Sequence, residues 1–332
     1  MSTIQLADAT SGKTAGAGRP GHPAPSARPS LRSRLSRADM KYSPYLFISP
    51  FFLLFAIFGL FPLITTVVVS LRTWRLDDPS SNGWAGLANF RRVFADGDFL
   101  QALRTTFGIF VVATVPQLLL ALGVAGLLNR KLRFATALRM GMLLPYVTSI
   151  AASTLVFGSI FARDTGLANY LLSLVHLGPI DWHSSTFGSW FAISTIVDWR
   201  WIGYNSLIYL AAMQAVPRDV YEAASIDGAG QWKQFTRITI PMIKPAIVFT
   251  AVLSTIGGLQ LFTEPLLFDS NPNAAEGGSV HQFRTVAMLI YRTGWQDLNL
   301  GYAAAMAWVM FVIVVIVAAV NGLLTNRLGG DR

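Results

Sequence analysis

Polar and aromatic side chains interrupt the apolar runs of this 332-residue chain at two places. The first place contributes the candidate binding residues Trp199, Arg200, Trp201, Tyr204 and Asn205. The second place contributes Gln260 and Glu264. Charged groups at mid-membrane depth are costly and usually face a cavity or a partner. Indole rings, amides and charged groups together can cover an apolar ring face and hydrogen-bond to hydroxyls, which is the chemistry needed to bind a polyhydroxylated small molecule.

A structural explanation of the first cluster stays open at this point. Asp198 and Arg200 lie only a short way into their apolar run, where they could form an ion pair near the membrane interface. Trp199 and Trp201 could be interfacial anchors, since tryptophan is enriched at membrane–water boundaries.

The second cluster is predicted from helical spacing. Gln260 and Glu264 are four residues apart and share one face if the helix is continuous. Both side chains are therefore expected to line one cavity. The neighbouring Gly257 and Gly258 would permit a close backbone approach or local unwinding.

Catalytic chemistry has little support in the residue pattern. The chain has no cysteine, no HExxH motif and no clustered carboxylate pair, and its four histidines lie outside the apolar runs. The segment Ala7–Thr14, ADATSGKT, matches a relaxed phosphate-loop pattern, but no apolar strand precedes it and no helical pattern follows it. We therefore expect a protein that is not an enzyme and that binds no cofactor itself.

The elements that position these residues are apolar enough to be membrane spans. Charged residues make up 13% of the chain and its mean hydropathy is +0.48, whereas a soluble domain carries about 25% charged residues. A membrane-spanning helix needs about 20 mostly apolar residues. Six stretches qualify, at about 45–71, 105–129, 140–162, 188–214, 245–268 and 302–326. The sequence therefore predicts an all-α polytopic membrane domain of six transmembrane helices over residues 42–328.

The distribution of basic residues predicts the orientation of these spans. With the N-terminus inside, 17 lysines and arginines fall on inside segments and eight on outside segments, and all five lysines are inside. Cytoplasmic segments carry the excess of basic residues, so both termini are predicted to be cytoplasmic. Residues 1–41 are rich in Gly, Pro, Ser and Arg, which predicts a disordered basic tail.

A polar loop between the fourth and fifth spans carries the most specific motif. It reads YEAASIDGAGQWKQFTRITIP over Tyr221–Pro241. Pro217 suits the first turn of a helix, and Gly228 and Gly230 interrupt that helix. A second amphipathic piece follows over 231–239, and Pro241 is the predicted hinge into the fifth span. The pattern predicts a pair of short cytoplasmic helices. An ordinary amphipathic loop that packs on the protein's own helices is the alternative.

This loop resembles the signature loop of permease subunits of ATP-binding cassette (ABC) importers. The family pattern is E-A-A, three residues, G, nine residues, I, one residue, L-P, and Ile240 stands where Leu is usual. The likeness extends over about 42–328 and is closest to MalF-like sugar permeases, with Gly86–Phe90 similar to a recurrent segment there. The segments Gln260–Pro265 and Gln282–Met288 resemble permeases for cellobiose and other β-glucosides. The residues that the resemblance implies for ATPase coupling are Glu222, Ala223, Ala224, Asp227, Gly228, Ile238 and Pro241, within the loop 217–241.

The resemblance also implies the partners and the location. Such a permease would work in the bacterial inner membrane with a second homologous permease subunit, two ATP-binding subunits and an extracytoplasmic sugar-binding protein. ATP and Mg²⁺ would bind to the partner subunits, and the cargo would be cellobiose or another oligosaccharide. A self-contained, ion-coupled secondary transporter is the alternative. That alternative would need intramembrane carboxylates or histidines, which are few in this chain.

Overall fold

The computed structural model describes residues 31–130, 132–269 and 274–327, and the chain divides into two units, Met1–Pro62 and Leu63–Arg332. In the first unit, helix α1 spans Leu31–Phe55 and a π-helical turn follows over Ala56–Leu60. The tail predicted over 1–41 lies outside the described residues as far as residue 30. Its last part, from residue 31, belongs to α1, so helix begins earlier than the sequence indicates.

The second unit combines helices with one short hairpin. Helix α2 spans Phe61–Ser70 and precedes the hairpin. In the hairpin, strand β1, Arg72–Thr73, pairs antiparallel with strand β2, Gly83–Trp84. The helices that follow are α3 (Ala88–Ala95), α4 (Gly97–Leu128), α5 (Ala135–Val147), α6 (Ile150–Ile160), α7 (Leu167–Leu174), α8 (Thr186–Gln214), α9 (Arg218–Ile226), α10 (Gln231–Gln234), α11 (Ile240–Met242), α12 (Lys244–Leu259), α13 (Thr263–Leu267), α14 (Val286–Tyr291) and α15 (Leu300–Arg327).

Helix α4 lies at the centre of the second unit, where α8, α12 and α14 pack against it. One buried cluster joins Ile109 of α4 to Ile193 and Ile196 of α8. A second cluster joins Ala121 of α4 to Tyr209 of α8. Small residues on α4 let neighbouring helices approach closely, as is common between membrane helices.

The third predicted span is bent rather than straight. Helices α5 and α6 meet at 92°, because Pro145 disrupts the hydrogen-bond ladder near the end of α5 and Ser149 caps the start of α6. Helix α5 lies directly on α8 at Gly203. A Cβ added there would be 1.7 Å from the carbonyl oxygen of Met142, so only glycine permits this contact.

The fifth predicted span, 245–268, is not a single helix. Helix α12 ends at Leu259 and α13 begins at Thr263, with three non-helical residues between them. The prediction of one continuous helix is therefore wrong at both the third and the fifth stretch. At the third stretch the apolar character continues through the bend, so hydropathy does not reveal it. At the fifth stretch Gln260 and Glu264 mark the break, but their residue types alone do not indicate that the helix ends there.

Apolar length agrees with the predicted polytopic architecture. In the described part of the chain, three helical stretches are long and apolar enough to cross a membrane, namely Tyr45–Ser70, Gly97–Leu128 and Leu300–Leu323. Two bent pairs, α5 with α6 and the stretch Gln231–Met242 with α12, would raise the number to five. Helix α8 covers the predicted fourth span, 188–214, but it carries the polar cluster and does not reach the same apolarity.

Candidate functional site

A cavity of 290 Å³ lies where α4, α8 and the break between α12 and α13 meet. Four predicted residues line it: Arg200 and Trp201 from α8, and Gln260 and Glu264 from the fifth predicted span. The packing of α8 and α12 around α4 therefore brings the two polar clusters of the sequence into one site.

Arg200 and Glu264 form a buried ion pair in the wall of this cavity. The distance from Nη1 of Arg200 to Oε1 of Glu264 is 3.4 Å, and both residues are buried. The alternative pairing of Arg200 with Asp198 is wrong. Among the described residues Arg200 forms an ion pair within 4 Å with Glu264 alone, and Oδ1 of Asp198 is buried without a hydrogen-bond partner. A buried charge depends on its partner, so this pair ties α8 to α13.

Gln260 and Glu264 do not line the cavity from one helical face. Gln260 lies in the break and Glu264 lies in α13. Helix α12 ends just before Gln260, and α13 begins at Thr263. The carbonyl oxygen of Leu261, within the break, accepts a hydrogen bond of 2.8 Å from Oγ1 of Thr285. Non-helical backbone at membrane depth is tolerated where it is buried in protein or lines a cavity. The prediction that Gln260 and Glu264 share one helical face is therefore wrong, although both side chains do line one cavity.

Of the two glycines beside the break, Gly258 permits close packing and Gly257 does not take part in it. A Cβ added at Gly258 would be 2.9 Å from Cδ2 of Phe110, so α12 approaches α4 closely at this position. A Cβ added at Gly257, which also lines the cavity, would meet no atom within 4 Å. The unwinding that these glycines predicted occurs a little later in the chain.

Tyr146 joins the site although the sequence pattern gave no signal for it. It lies near the end of α5, where its ring stacks on Tyr204 with centroids 4.6 Å apart. Its ring centroid is also 5.3 Å from that of Trp201, and Trp201 lies 5.7 Å from Tyr204. The three rings form an aromatic cluster beside the cavity that Trp201 lines. Only the packing of α5 on α8 places Tyr146 there.

The two remaining residues of the first cluster occupy different positions. Asn205 is buried, and its Nδ2 donates to Oγ of Ser254 at 3.4 Å, while Nε2 of Gln117 donates to the same oxygen at 3.2 Å. Ser254 and Gln117 line the cavity, so Asn205 supports its wall. Trp199 is 40% exposed and packs against Phe157 instead, away from the cavity wall.

The second candidate site is the 217–241 segment, which begins with α9. Pro217 is the N-cap of α9 and lies one residue earlier than the first-turn position that the sequence suggested. Asp219 lies in the first turn, where a carboxylate is favoured by the helix dipole. Ile226, at the end of α9, is 88% exposed. The exposed motif residues of this helix end are Glu222, Ala223, Asp227 and Gly228, and Ala224 is half-buried.

Gly228 ends α9 in the left-handed conformation, with φ of +73°. Its N–H donates to the carbonyl oxygen of Ser225 at 3.1 Å, and the N–H of Ala229 donates to that of Ala224 at 2.9 Å. This pair of bonds is a Schellman motif. A Cβ at this position would meet no atom within 4 Å, so the backbone conformation, not a lack of space, requires glycine.

Side-chain hydrogen bonds fix α9 to the rest of the 217–241 segment. Nε2 of Gln234 donates to Oγ of Ser225 at 3.0 Å and to the carbonyl oxygen of Ala229 at 2.8 Å. The hydroxyls of Tyr221 and Thr239 hydrogen-bond to each other at 2.9 Å. The two predicted pieces therefore form one folded unit.

The second piece is less regular than the predicted amphipathic helix. Helix α10 passes into a π-helical turn over Phe235–Thr239, which contains the half-buried Ile238, and then into α11. Pro241 is exposed within α11. The chain then bends by 68° into α12 at Ile243. The sequence placed this hinge at Pro241, two residues too early.

Comparisons with known proteins agree with this architecture. Residues 40–330 match the family described as "Binding-protein-dependent transport system inner membrane component". The chain is 36% identical over 290 residues to the lactose transport system permease protein LacF of Rhizobium radiobacter, covering 85% of this chain and 95% of that protein. It is 32% identical over 290 residues to the arabinooligosaccharides transport system permease protein AraP of Halalkalibacterium halodurans, covering 87% of this chain and 89% of that protein.

A solved structure shares the fold. A chain of the bacterial alginate ABC transporter in complex with an alginate pentasaccharide-bound periplasmic protein aligns with a TM-score of 0.72 at 22% identity, covering 90% of this chain and 99% of that chain. The family match extends over most of the sequence. This multi-pass protein therefore belongs to the inner membrane components of binding-protein-dependent transport systems, which are non-catalytic permease subunits.

Proposed function

We propose that this chain is the permease subunit of an ATP-driven importer of an oligosaccharide and forms half of the translocation pathway. The observation that carries the proposal is that one helix connects two sites. Helix α12 begins next to the 217–241 segment and ends at the cavity, and its 16 residues measure about 24 Å. A movement at the exposed segment can therefore reach the cavity directly.

The lining of the cavity suits a sugar. Arg200 and Gln260 can donate hydrogen bonds to hydroxyls, Glu264 can accept them, and Trp201 offers an aromatic face to ring C–H groups. The volume of 290 Å³ lies just below the about 300–1,000 Å³ typical of ligand pockets, so a second permease subunit would supply the other wall. Relatives named for lactose and arabino-oligosaccharides support a carbohydrate cargo, and cellobiose is one candidate.

The 217–241 segment is proposed to dock an ATP-binding partner. Glu222 and Ala223 are exposed on a short helix whose end is fixed by the Schellman motif at Gly228. The exposed carboxylate can pair with a basic group, and the small alanine permits close approach of a partner surface. Two such partners, one for each permease of a heterodimer, would bind ATP and Mg²⁺, and this chain would bind neither.

Reconstitution with the proteins encoded beside it tests this function. We expect uptake of an oligosaccharide that requires ATP and the binding protein. Glu222→Lys should lower uptake by roughly tenfold or more, because losing a charged contact at an interface costs about 2–5 kcal/mol. Capture of the sugar by the soluble binding protein should not change.

The matched control is Asp164→Lys, the same change of charge at an exposed position outside the 217–241 segment, which should leave uptake intact. Two outcomes contradict the proposal. One is undiminished uptake in Glu222→Lys. The other is uptake by this chain alone, driven by an ion gradient without ATP.

A further inference from the structure

A second cavity, of 590 Å³, lies between the last turns of α4 and the 217–241 segment. Two glycines of α4 form its floor. A Cβ added at Gly123 would meet no atom within 4 Å, whereas one added at Gly126 would be 3.0 Å from Cε2 of Phe235. The cavity is therefore a groove that is open along α4 at Gly123 and closed at Gly126 by an aromatic ring.

The surface of this groove is mainly apolar, although Tyr221, Gln234 and Thr239 also line it. Trp232 is 77% exposed and stacks on Phe235 with ring centroids 6.0 Å apart. Asn129, Arg130 and Gln231 lie along the rim. The described lining residues include one cation, Arg130, and no carboxylate. The groove is thus amphipathic and attracts negative charge at one end.

The groove lies where an apolar span gives way to charged residues. The apolar stretch of α4 is Gly97–Leu128, and Arg130 is exposed just beyond it. Tryptophan is enriched at membrane–water interfaces. Basic pockets between membrane helices on the cytoplasmic side bind anionic lipid headgroups.

We propose that this groove binds one phospholipid with an anionic headgroup. The guanidinium of Arg130 would hold the phosphate by charge-assisted hydrogen bonds, and the amides of Asn129 and Gln231 would donate further ones. An acyl chain would lie over Gly123 and Gly126. The inference rests on the proposed function for the cytoplasmic position of this end of α4.

The occupant would touch the element that is proposed to dock the ATPase. Trp232 and Phe235 belong both to the groove and to the 217–241 segment. A lipid against these rings would therefore influence where that segment sits. The activity of the importer should then depend on the anionic lipid content of the membrane.

Photolabelling of the assembled importer tests the lipid site. In nanodiscs that contain photoactivatable phosphatidylglycerol, we expect label on peptides containing 123–130 and 231–235. Gly123→Leu adds a side chain to the floor of the groove at a position where an added Cβ meets no atom within 4 Å, and Arg130→Gln removes the cation. Each variant should lower the labelling by about tenfold, the factor for losing about 1.4 kcal/mol of binding.

Two matched controls should keep full labelling. Gly141→Leu makes the same change at another glycine with no atom within 4 Å of an added Cβ, and Arg133→Gln removes an exposed cation close to Arg130; neither position lines the groove. The lipid site is overturned by undiminished labelling in Gly123→Leu and Arg130→Gln, by equal labelling with photoactivatable phosphatidylcholine, or by a partner chain that occupies the groove. Labelling requires no transport, so its failure is distinguishable from failure of the proposed function.

Discussion

The cavity at Arg200 and the 217–241 segment are built in opposite ways. The ion pair of the cavity joins residues 64 positions apart, whereas the long-range hydrogen bond of the 217–241 segment joins Tyr221 and Thr239, only 18 positions apart. The cavity buries its charged groups and pairs them with each other, and the segment leaves Glu222 exposed. Changes to the buried ion pair should therefore affect folding as well as transport, and changes to the exposed surface of the segment should affect transport alone.

Removing one charge of the ion pair should give the largest effect, a loss of stability. It tests the expectation that the ion pair affects folding. Glu264→Leu leaves the guanidinium of Arg200 buried without a counter-charge, which costs about 3–5 kcal/mol. We expect a clearly lower unfolding temperature of the detergent-solubilised protein. The double variant Arg200→Met with Glu264→Met removes both charges and should recover most of the stability without restoring uptake. A single variant as stable as the parent would mean that the cavity does not depend on this pair.

The glycines of the 217–241 segment test the expectation that changes there affect transport alone. Gly228→Ala places a side chain in the left-handed conformation, which costs about 1–2 kcal/mol, so the end of α9 should shift and ATP-driven uptake should fall severalfold. Gly230, with φ of −65°, should accept alanine with little change. The measurements are uptake and the amount of assembled importer. Equal losses of uptake at both positions, or a loss of folded permease subunit in Gly228→Ala, would contradict a role of this helix end in docking.

Gln260 should give the smallest effect, because it lines the cavity but is not part of the ion pair. Gln260→Ala removes one hydrogen-bonding group worth about 0.5–1.5 kcal/mol. The sugar concentration for half-maximal transport should rise severalfold, with the basal ATPase rate unchanged. Gln214→Ala, at the exposed end of α8, serves as the control. An equal fall in basal ATPase rate would show that Gln260 supports the structure rather than the cargo.

The sequence predicts the 217–241 segment well because local rules determine it. Proline at the start of the helix, glycine after its end and the carboxylate in its first turn each act within a few residues. The π-helical turn is not predicted, and the bend at Ile243 is predicted two residues too early, at Pro241. Both depend on how Phe235 and Ile243 pack against α4 and α8, and neither contact can be read from the loop alone.

The cavity was predicted only in outline. Residue type identified Arg200, Trp201, Gln260 and Glu264, since polar groups within apolar runs are conspicuous. Helical spacing cannot place one helix face against another, so Tyr146 was missed. Helical spacing also does not reveal the break between α12 and α13. This break is stabilised by the hydroxyl of Thr285, which donates to the carbonyl oxygen of Leu261, 24 positions away.

The side-chain hydrogen bonds within the 217–241 segment have a mechanical consequence. Because the bonds of Tyr221 and Gln234 join its pieces, the segment has low compliance, and a displacement applied at Glu222 should arrive at Thr239 with little loss. The joint comes afterwards, at the buried Ile243, where the chain turns by 68°. A force that enters α12 at this angle acts off its axis. It should therefore exert a torque on α12 as well as a push along it, and tilt the far end of the helix.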